Sequence, residues 1–397
     1  MMNPFRIADV RAFTICRPGS GGDYHDREEG HWLIDSPIAT PMSGYEQYRK
    51  SRKSWGIAAL GSFLVEIETD SGVTGVCTGF GGEPACFIIE KHFRRFLIGA
   101  DVRDTARIWD QIYRASLPYG RKGMALAALS CVDLALWDAQ GLVRGEPVYR
   151  MIGGETKPEI PLYCTGPRPD LAKAMGFWGG KVPLPFSAAD GNEGLRRNRA
   201  FLAEHRAAVG PDFPLMVDCY MSLTVPYAID LANAVRDLDI NWLEECLHPD
   251  DFDGHTLLKQ RIPWMKWTTG EHEYTRYGFR KLIETRSVDI LQPDMMWLGG
   301  LTEALRVAAM GAAYDIPVVP HGSGAYSYHF VMSQPHSPFC EYLITSPAAD
   351  RVEPVFGDLF EGEQLPEDGR VRLSDEPGFG LTLRKDAVPL HRPYPLS

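Results

Sequence analysis

From about residue 160 onward, short apolar runs alternate with longer stretches of helical periodicity. The runs are 161–165 (PLYCT), 179–183 (GGKVP), 214–220 (PLMVDCY), 240–246 (INWLEEC), 266–271 (KWTTGE), 289–294 (DILQPD), 317–322 (PVVPHG) and 340–344 (CEYLI). Each has strand length, and amphipathic stretches separate them, clearest at 225–238, 275–286 and 301–314. Eight strands with helices between them predict a parallel barrel rather than an open doubly wound sheet. The first 150 residues follow another rhythm. Residues 63–69 (FLVEIET) and 73–78 (VTGVCT) flank the turn Asp70-Ser71-Gly72, and helical patterns follow at about 88–97, 104–115 and 122–143. Strands first and helices afterwards predict an α+β unit. The expected organisation is an α+β capping domain over 1–155, a TIM-type barrel over 156–364, and a segment, 365–397, that returns to the cap.

Charge and composition narrow the partners. A net charge of -11 gives no general reason to approach nucleic acid or an anionic membrane. An acidic protein that handles an anionic substrate must supply positive charge locally, from a metal ion or a few basic residues. The most apolar stretch, Met124 to Trp137, is interrupted by Ser130 and Asp133 and reads as a buried amphipathic helix. Asn3, Pro4, Arg6 and Asp9 break up the N-terminus, so no secretory signal is expected and a cytoplasmic location is. Eight cysteines occur singly, without a C-x-x-C pair, and are expected to be reduced thiols.

The predicted strands carry chemistry at their C-terminal ends: Lys181, Asp218, Glu244, Glu271, Asp294, His321 and Glu341. From Asp218 onward the gaps are 26, 27, 23, 27 and 20 residues, each about one strand, one helix and two loops. In a barrel those ends converge on one mouth, where active sites sit. Asp218, Glu244 and Glu271 together form an all-oxygen set that suits Mg²⁺ rather than Zn²⁺. Any one of them could instead cap a following helix, a reading far weaker for all three at once. Glu245 beside Glu244, and Glu273 two residues after Glu271, leave the ligand set ambiguous at its edges. Cys246 shares strand parity with Glu244, but nothing pairs it as a thiolate ligand. Asp294 ends the strand before His321, so its carboxylate can accept from one imidazole nitrogen and raise the basicity of the other.

Taken together these residues resemble the enolase superfamily, in its mandelate racemase-like branch, over nearly the whole chain. The resemblance is carried by CVDLALWD (131–138), GEPVYRMIGG (145–154), MVDCYMS (216–222), WLEEC (242–246), TTGEHEYTRYGFR (268–280), QPDMMWLGGLTEA (292–304) and VVPHGS (318–323). Within the branch, GGDYHD (21–26), PIATPMS (37–43), PRPDLAKAMGF (167–177), TSP (345–347) and PGFG (377–380) are most similar to the L-rhamnonate dehydratase family. The resemblance implies an α/β fold, a (β/α)7β-type modified TIM barrel under an α+β cap. It also implies Mg²⁺ on Asp218, Glu244 and Glu271, His321 as base polarised by Asp294, and Glu341 hydrogen-bonded to an enolate oxygen. His25 and Arg52 from the cap, with Lys181, would meet a sugar-acid substrate.

Relatives that racemise often present a second base as the last lysine of a Lys-x-Lys on the second strand. Here Lys181 is followed by Val182 and Pro183, so proline stands in that place. One competent base disfavours racemisation and predicts dehydration to a 2-keto-3-deoxy acid. The alternatives are a dehydratase or epimerase of another acid sugar, and a non-catalytic sugar-acid-binding barrel. A homo-oligomer is the expected assembly.

Overall fold

The computed structural model describes residues 3–17, 19–21, 30–49, 52 and 60–394. His25, most of the 21–26 motif and residues 53–59 lie outside the described residues.

The cap is built on an antiparallel sheet of β1 (Ile7–Ile15), β2 (Ser62–Thr69) and β3 (Thr74–Phe80). Helices α1 (Thr105–Ser116) and α2 (Met124–Arg144) follow. α2 lies directly on β3, and glycine makes that approach possible. A Cβ at Gly75 would meet the Ala135 carbonyl oxygen at 2.4 Å, and one at Gly79 would meet Cys131 Sγ at 2.3 Å. α2 is long and apolar enough to cross a membrane, and 83% of its most apolar window is buried within the protein.

The barrel begins at β4 (Ile160–Thr165) and alternates strand and helix. The order is α3 (Pro169–Ala174), β5 (Gly179–Pro183), α4 (Gly191–Val209), β6 (Leu215–Asp218), α5 (Val225–Ala234) and β7 (Ile240–Glu244). It continues with α6 (Phe252–Arg261), β8 (Trp267–Thr269), α7 (Thr275–Glu284), β9 (Ile290–Leu291), α8 (Gly300–Ala312), α9 (Ala325–Ser333) and β10 (Cys340–Leu343). Consecutive strands from β4 to β9 pair in parallel, and β10 closes back on β4. The expected strand over 317–322 is reduced to one parallel bridge, Leu291 to Val318. Pro317 and Pro320 explain the shortening, because neither can donate a backbone hydrogen bond to a ladder. Several other strands are likewise shorter than their apolar runs, since the chain turns away once it reaches the mouth.

Beyond the barrel come β11 (Phe360–Glu361), β12 (Arg370–Val371), β13 (Thr382–Leu383) and β14 (Leu390–His391). β12 pairs with β4, and β14 pairs antiparallel with β1 of the cap.

The core decides where the polar ends point. Tyr163, Met216, Trp242, Ile290 and Val319 form a buried cluster of their own, with Phe339 packed against it. Two residues further along each strand, on the same face, stand Thr165, Asp218, Glu244, Gln292, His321 and Glu341. An apolar plug therefore sits directly beneath a polar layer.

Candidate active site

Strand periodicity delivers most of the polar layer, and backbone turns deliver the rest. β8 ends at Thr269, and Gly270, at φ 139°, redirects the chain so that Glu271 reaches the mouth. Tyr220, Met221 and Glu245, just past Asp218 and Glu244, also take left-handed backbone conformations with φ of 44°, 57° and 47°. Non-glycine residues in that region are strained, and such strain gathers at functional sites.

Asp218, Glu244 and Glu271 present carboxylate oxygens within 4.8 Å of one another. Lys181 is fully buried beneath them. Its ammonium binds Glu244 Oε1, lies 2.9 Å from Glu341 Oε1 and 3.8 Å from Asp218 Oδ2. Glu244 Oε2 also accepts from Gln292 Nε2 at 2.6 Å and Trp242 Nε1 at 3.0 Å, which fixes the carboxylate's orientation. Even so, burial pushes Asp218 up to about 6 and Glu244 up to about 7, while Lys181 pulls against the rise. Burial raises Glu271 as well, against the opposing pull of His321 and His272. One lysine does not neutralise this much negative charge. An all-oxygen cluster with oriented carboxylates and unrelieved repulsion fits a hard divalent cation.

A second grouping, Glu245, Glu271 and His272, lies as close together. Glu245, however, is engaged by His272 Nδ1 at 2.8 Å, so Asp218, Glu244 and Glu271 remain the better ligand set.

His321 Nδ1 stands 2.7 Å from Asp294 Oδ2, and its Nε2 is 3.6 Å from Glu271 Oε1. Burial opposes a charge on the ring, but Glu271, Glu341 and Asp294 raise its pKa well above the ordinary histidine range. Glu341 is held as an acceptor at both oxygens. Oε1 takes Thr165 Oγ1 and Lys181, and Oε2 takes the Gly322 N–H at 2.8 Å. Burial works against its ionisation, and Lys181 and His321 overcome it to bring the carboxyl down to about 2. Arg52 is buried, its guanidinium 4.4 Å above the Tyr220 ring.

Sequence reasoning missed His272. Its ring repeats the His321 arrangement: Nδ1 on the Glu245 carboxylate, and Nε2 3.8 Å from the same Glu271 Oε1. Trp297 neighbours both imidazoles, 5.1 Å from His272 and 6.1 Å from His321 between ring centroids. Burial opposes its charge, yet Glu245 and Glu271 raise His272 to about 9. The signal was a histidine flanked by acids in GEHEY, but one residue after a strand-end ligand no parity rule says where it points. Glu273, which was left open, turns away to Lys122 of the cap at 3.0 Å.

Comparison with known proteins agrees with this geometry. Residues 172–387 match the family model described as enolase C-terminal domain-like, and 56–153 match that of the mandelate racemase / muconate lactonizing enzyme N-terminal domain. The chain belongs to the mandelate racemase / muconate lactonizing enzyme family of the enolase superfamily. Within that family it is 50% identical over 390 residues to an L-rhamnonate dehydratase of Saccharopolyspora erythraea, covering 98% of this chain and 99% of the relative. Its fold matches a crystal structure of rhamnonate dehydratase from Gibberella zeae complexed with Mg, with TM-score 0.95 and 62% identity, over 98% of this chain and 96% of that one. A 3,6-anhydro-D-galactonate cycloisomerase from Zobellia galactanivorans is more distant, at TM-score 0.76 and 27% identity over 96% of this chain and 98% of that one. The family members share a barrel under a cap, as found here.

Proposed function

We propose that the protein is a Mg²⁺-dependent hydro-lyase that converts a sugar acid, L-rhamnonate, to its 2-keto-3-deoxy acid. The observation that carries this reading is the His321–Asp294 pair, 2.7 Å apart, facing a cluster of three carboxylates across one mouth. Near-full-length similarity to L-rhamnonate dehydratases supports the substrate.

Asp218, Glu244 and Glu271 would hold Mg²⁺, which when bound would supply positive charge to stabilise the second negative charge as it develops. His321 Nε2, 3.6 Å from Glu271 Oε1 at the mouth, takes the C2 proton. Asp294 fixes the tautomer by accepting at Nδ1 and steadies the imidazolium that forms. Departure of the 3-hydroxyl needs a proton, and in this reading His321 returns the one it took. Glu341 hydrogen-bonds the enolate oxygen in this reading only as the acid, with the proton passed to it from the Lys181 ammonium 2.9 Å away. Arg52 and His25 of the cap meet the substrate. Lys181, fully buried on Glu244 and Glu341, contributes charge balance below the cavity in addition to any substrate contact.

The division into cap (1–155), barrel (156–364) and returning segment (365–397) follows from the same reading. So does a cytoplasmic enzyme of carbohydrate catabolism, working as a homo-oligomer without nucleic-acid or membrane partners.

One observation favours a second reading. His272 on Glu245 is an additional imidazole that an acid-sugar epimerase would need as its other base. A panel of aldonates incubated with Mg²⁺ in D₂O decides between them. Dehydration predicts a 2-keto-3-deoxy product, with L-rhamnonate turned over best. Epimerisation predicts a C2-deuterated epimer and no keto acid. Binding without either would leave a non-catalytic sugar-acid barrel.

A further inference from the structure

We propose that the cap sets the placement of the catalytic dyad through a polar clasp, in which Ser130 and Asp133 hold the Gly299–Thr302 segment behind the Asp294 turn. The inference rests on the reading of Asp294 and His321 as that dyad.

The turn closes on itself up to Leu298, whose carbonyl accepts from Thr275 N–H of α7 at 3.0 Å. The N–H groups of Trp297 and Leu298 donate to the Asp294 carbonyl at 3.1 and 3.0 Å, and Met296 N–H donates to Asp294 Oδ1 at 2.7 Å. It then meets Gly299 and Gly300, at φ 126° and 79°, where α8 begins. Two successive glycines in conformations that side chains rarely adopt make a hinge, because glycine populates many others as readily. Left alone, such a hinge would let the Asp294 carboxylate and the Trp297 ring drift relative to His321.

Among the described residues, the side chains that bind Gly299 and Thr302 come from the cap. Gly299 N–H donates to Ser130 Oγ at 2.9 Å, and Gly299 C=O accepts from Trp109 Nε1 at 2.7 Å. Thr302 N–H donates to Asp133 Oδ2 at 2.8 Å, and Trp137 Nε1 donates to Thr302 Oγ1 at 2.9 Å. A Cβ on Gly300 would lie 2.6 Å from Asp133 Cβ, so the helix and the hinge touch backbone to side chain. Ser130 and Asp133 are fully buried, and three of the four contributors lie on one face of α2. This gives a purpose to the 131–138 stretch, CVDLALWD, that the chemistry at the mouth leaves unused. Asp133 and Trp137 face the barrel. Asp138 faces the other way, accepting from Val76 N–H and Phe379 N–H, both at 2.9 Å. α2 thus ties the cap sheet and the C-terminal segment to the turn that carries Asp294. Ser130 and Asp133 touch neither substrate nor metal; they are positioning residues.

The test compares Ser130→Ala and Asp133→Ala, singly and together, with Asp133→Asn, which keeps an oxygen to accept from Thr302. kcat, KM and C2 proton exchange are measured well below the unfolding midpoint of each variant. The double alanine variant is expected to lose roughly 10–100-fold in kcat, since a displacement of about 1 Å far from the chemistry can cost that much. KM should stay within about twofold of wild type, and Asp133→Asn should keep near-wild-type kcat. An unchanged kcat in the double variant overturns the proposal. So does a kcat loss that Asp133→Asn shares in full, because that would mean the charge or the packing mattered and not the held N–H. If the wild-type protein itself exchanges no C2 proton, the dyad reading fails and not the clasp.

Discussion

Two groups of buried carboxylates in this molecule are accommodated in opposite ways. At the barrel mouth Asp218, Glu244, Glu271 and Glu341 crowd around Lys181. Away from the mouth, Asp138 and Glu363 each stand apart, accepting backbone N–H groups from Val76 and Phe379, and from Val355 and Phe356. Burial pushes Glu244, Asp138 and Glu363 to the same value, about 7. The neighbourhoods behind that value differ. For Glu244, repulsion from Asp218 and Glu341 adds to burial and Lys181 resists it; for Asp138, burial is opposed by N–H donors alone. A carboxylate that amides satisfy needs nothing more. Carboxylates that repel one another hold free energy that an arriving cation releases. The difference separates a structural acid from a ligand better than burial or pKa does.

The largest effect should follow from removing the cation. Exhaustive chelation is expected to abolish turnover, and Mg²⁺ to restore it. Mg²⁺ at 100 times its Kd should also raise unfolding free energy by about 2.7 kcal/mol, read by denaturant titration. The pH dependence carries a definite sign. Asp218 and Glu244 are raised to about 6 and about 7, so below those values protons occupy the oxygens the ion requires. Affinity measured by calorimetry should weaken as pH falls from 7 to 5. A flat profile would mean the mouth holds no such frustration and would erase the contrast.

Next comes the dyad. His321→Asn should cost on the order of 10²–10⁴-fold in kcat, with C2 exchange lost in parallel. Asp294→Asn should cost about 10–100-fold, because it orients a group rather than moving the proton. Retained exchange in His321→Asn would transfer the base role, with His272 the first candidate.

The smallest effect belongs to the acids held by amides. Asp138→Asn turns an NH₂ toward one of two N–H donors and should cost about 1–3 kcal/mol of stability, with kcat unchanged. Its folded pKa lies above the unfolded value of about 3.9. The protonated form's advantage is therefore present below about pH 4 and lost as pH rises through about 7. Wild-type stability should accordingly fall more between pH 5 and 8 than that of the variant. A fall in kcat without a fall in stability would place Asp138 with the mouth instead.

Much of this was legible in the chain, and the exceptions are instructive. The spacing of Asp218, Glu244, Asp294, His321 and Glu341 was enough to bring them to one mouth: Asp218 and Glu244 end β6 and β7, Glu341 lies in β10, and Asp294 and His321 follow closely on β9 and the bridge at Val318. The all-oxygen set pointed to Mg²⁺, the resemblance implied the same ion, and the Mg-complexed relative supports it. The run at 317–322 read as a strand but forms one bridge, since apolar character does not provide the N–H groups that its prolines lack. Glu245 and Glu273 could not be sorted from their neighbours by parity. A left-handed residue sends Glu245 to His272, and Glu273 ends on Lys122, a residue 151 positions away.

Sequence by itself determined the periodicities, and through them the barrel, the order of its strand ends and the chemical types gathered there. Those properties are local: a residue's face on a strand follows from its neighbours two positions away. Tertiary structure alone decided that Lys181 lies buried under the carboxylates, that a second imidazole shares Glu271 with His321, and that the cap grips the Gly299–Gly300 hinge. Each of these depends on distances between segments remote in sequence, and on backbone turns whose direction no hydrophobic pattern encodes.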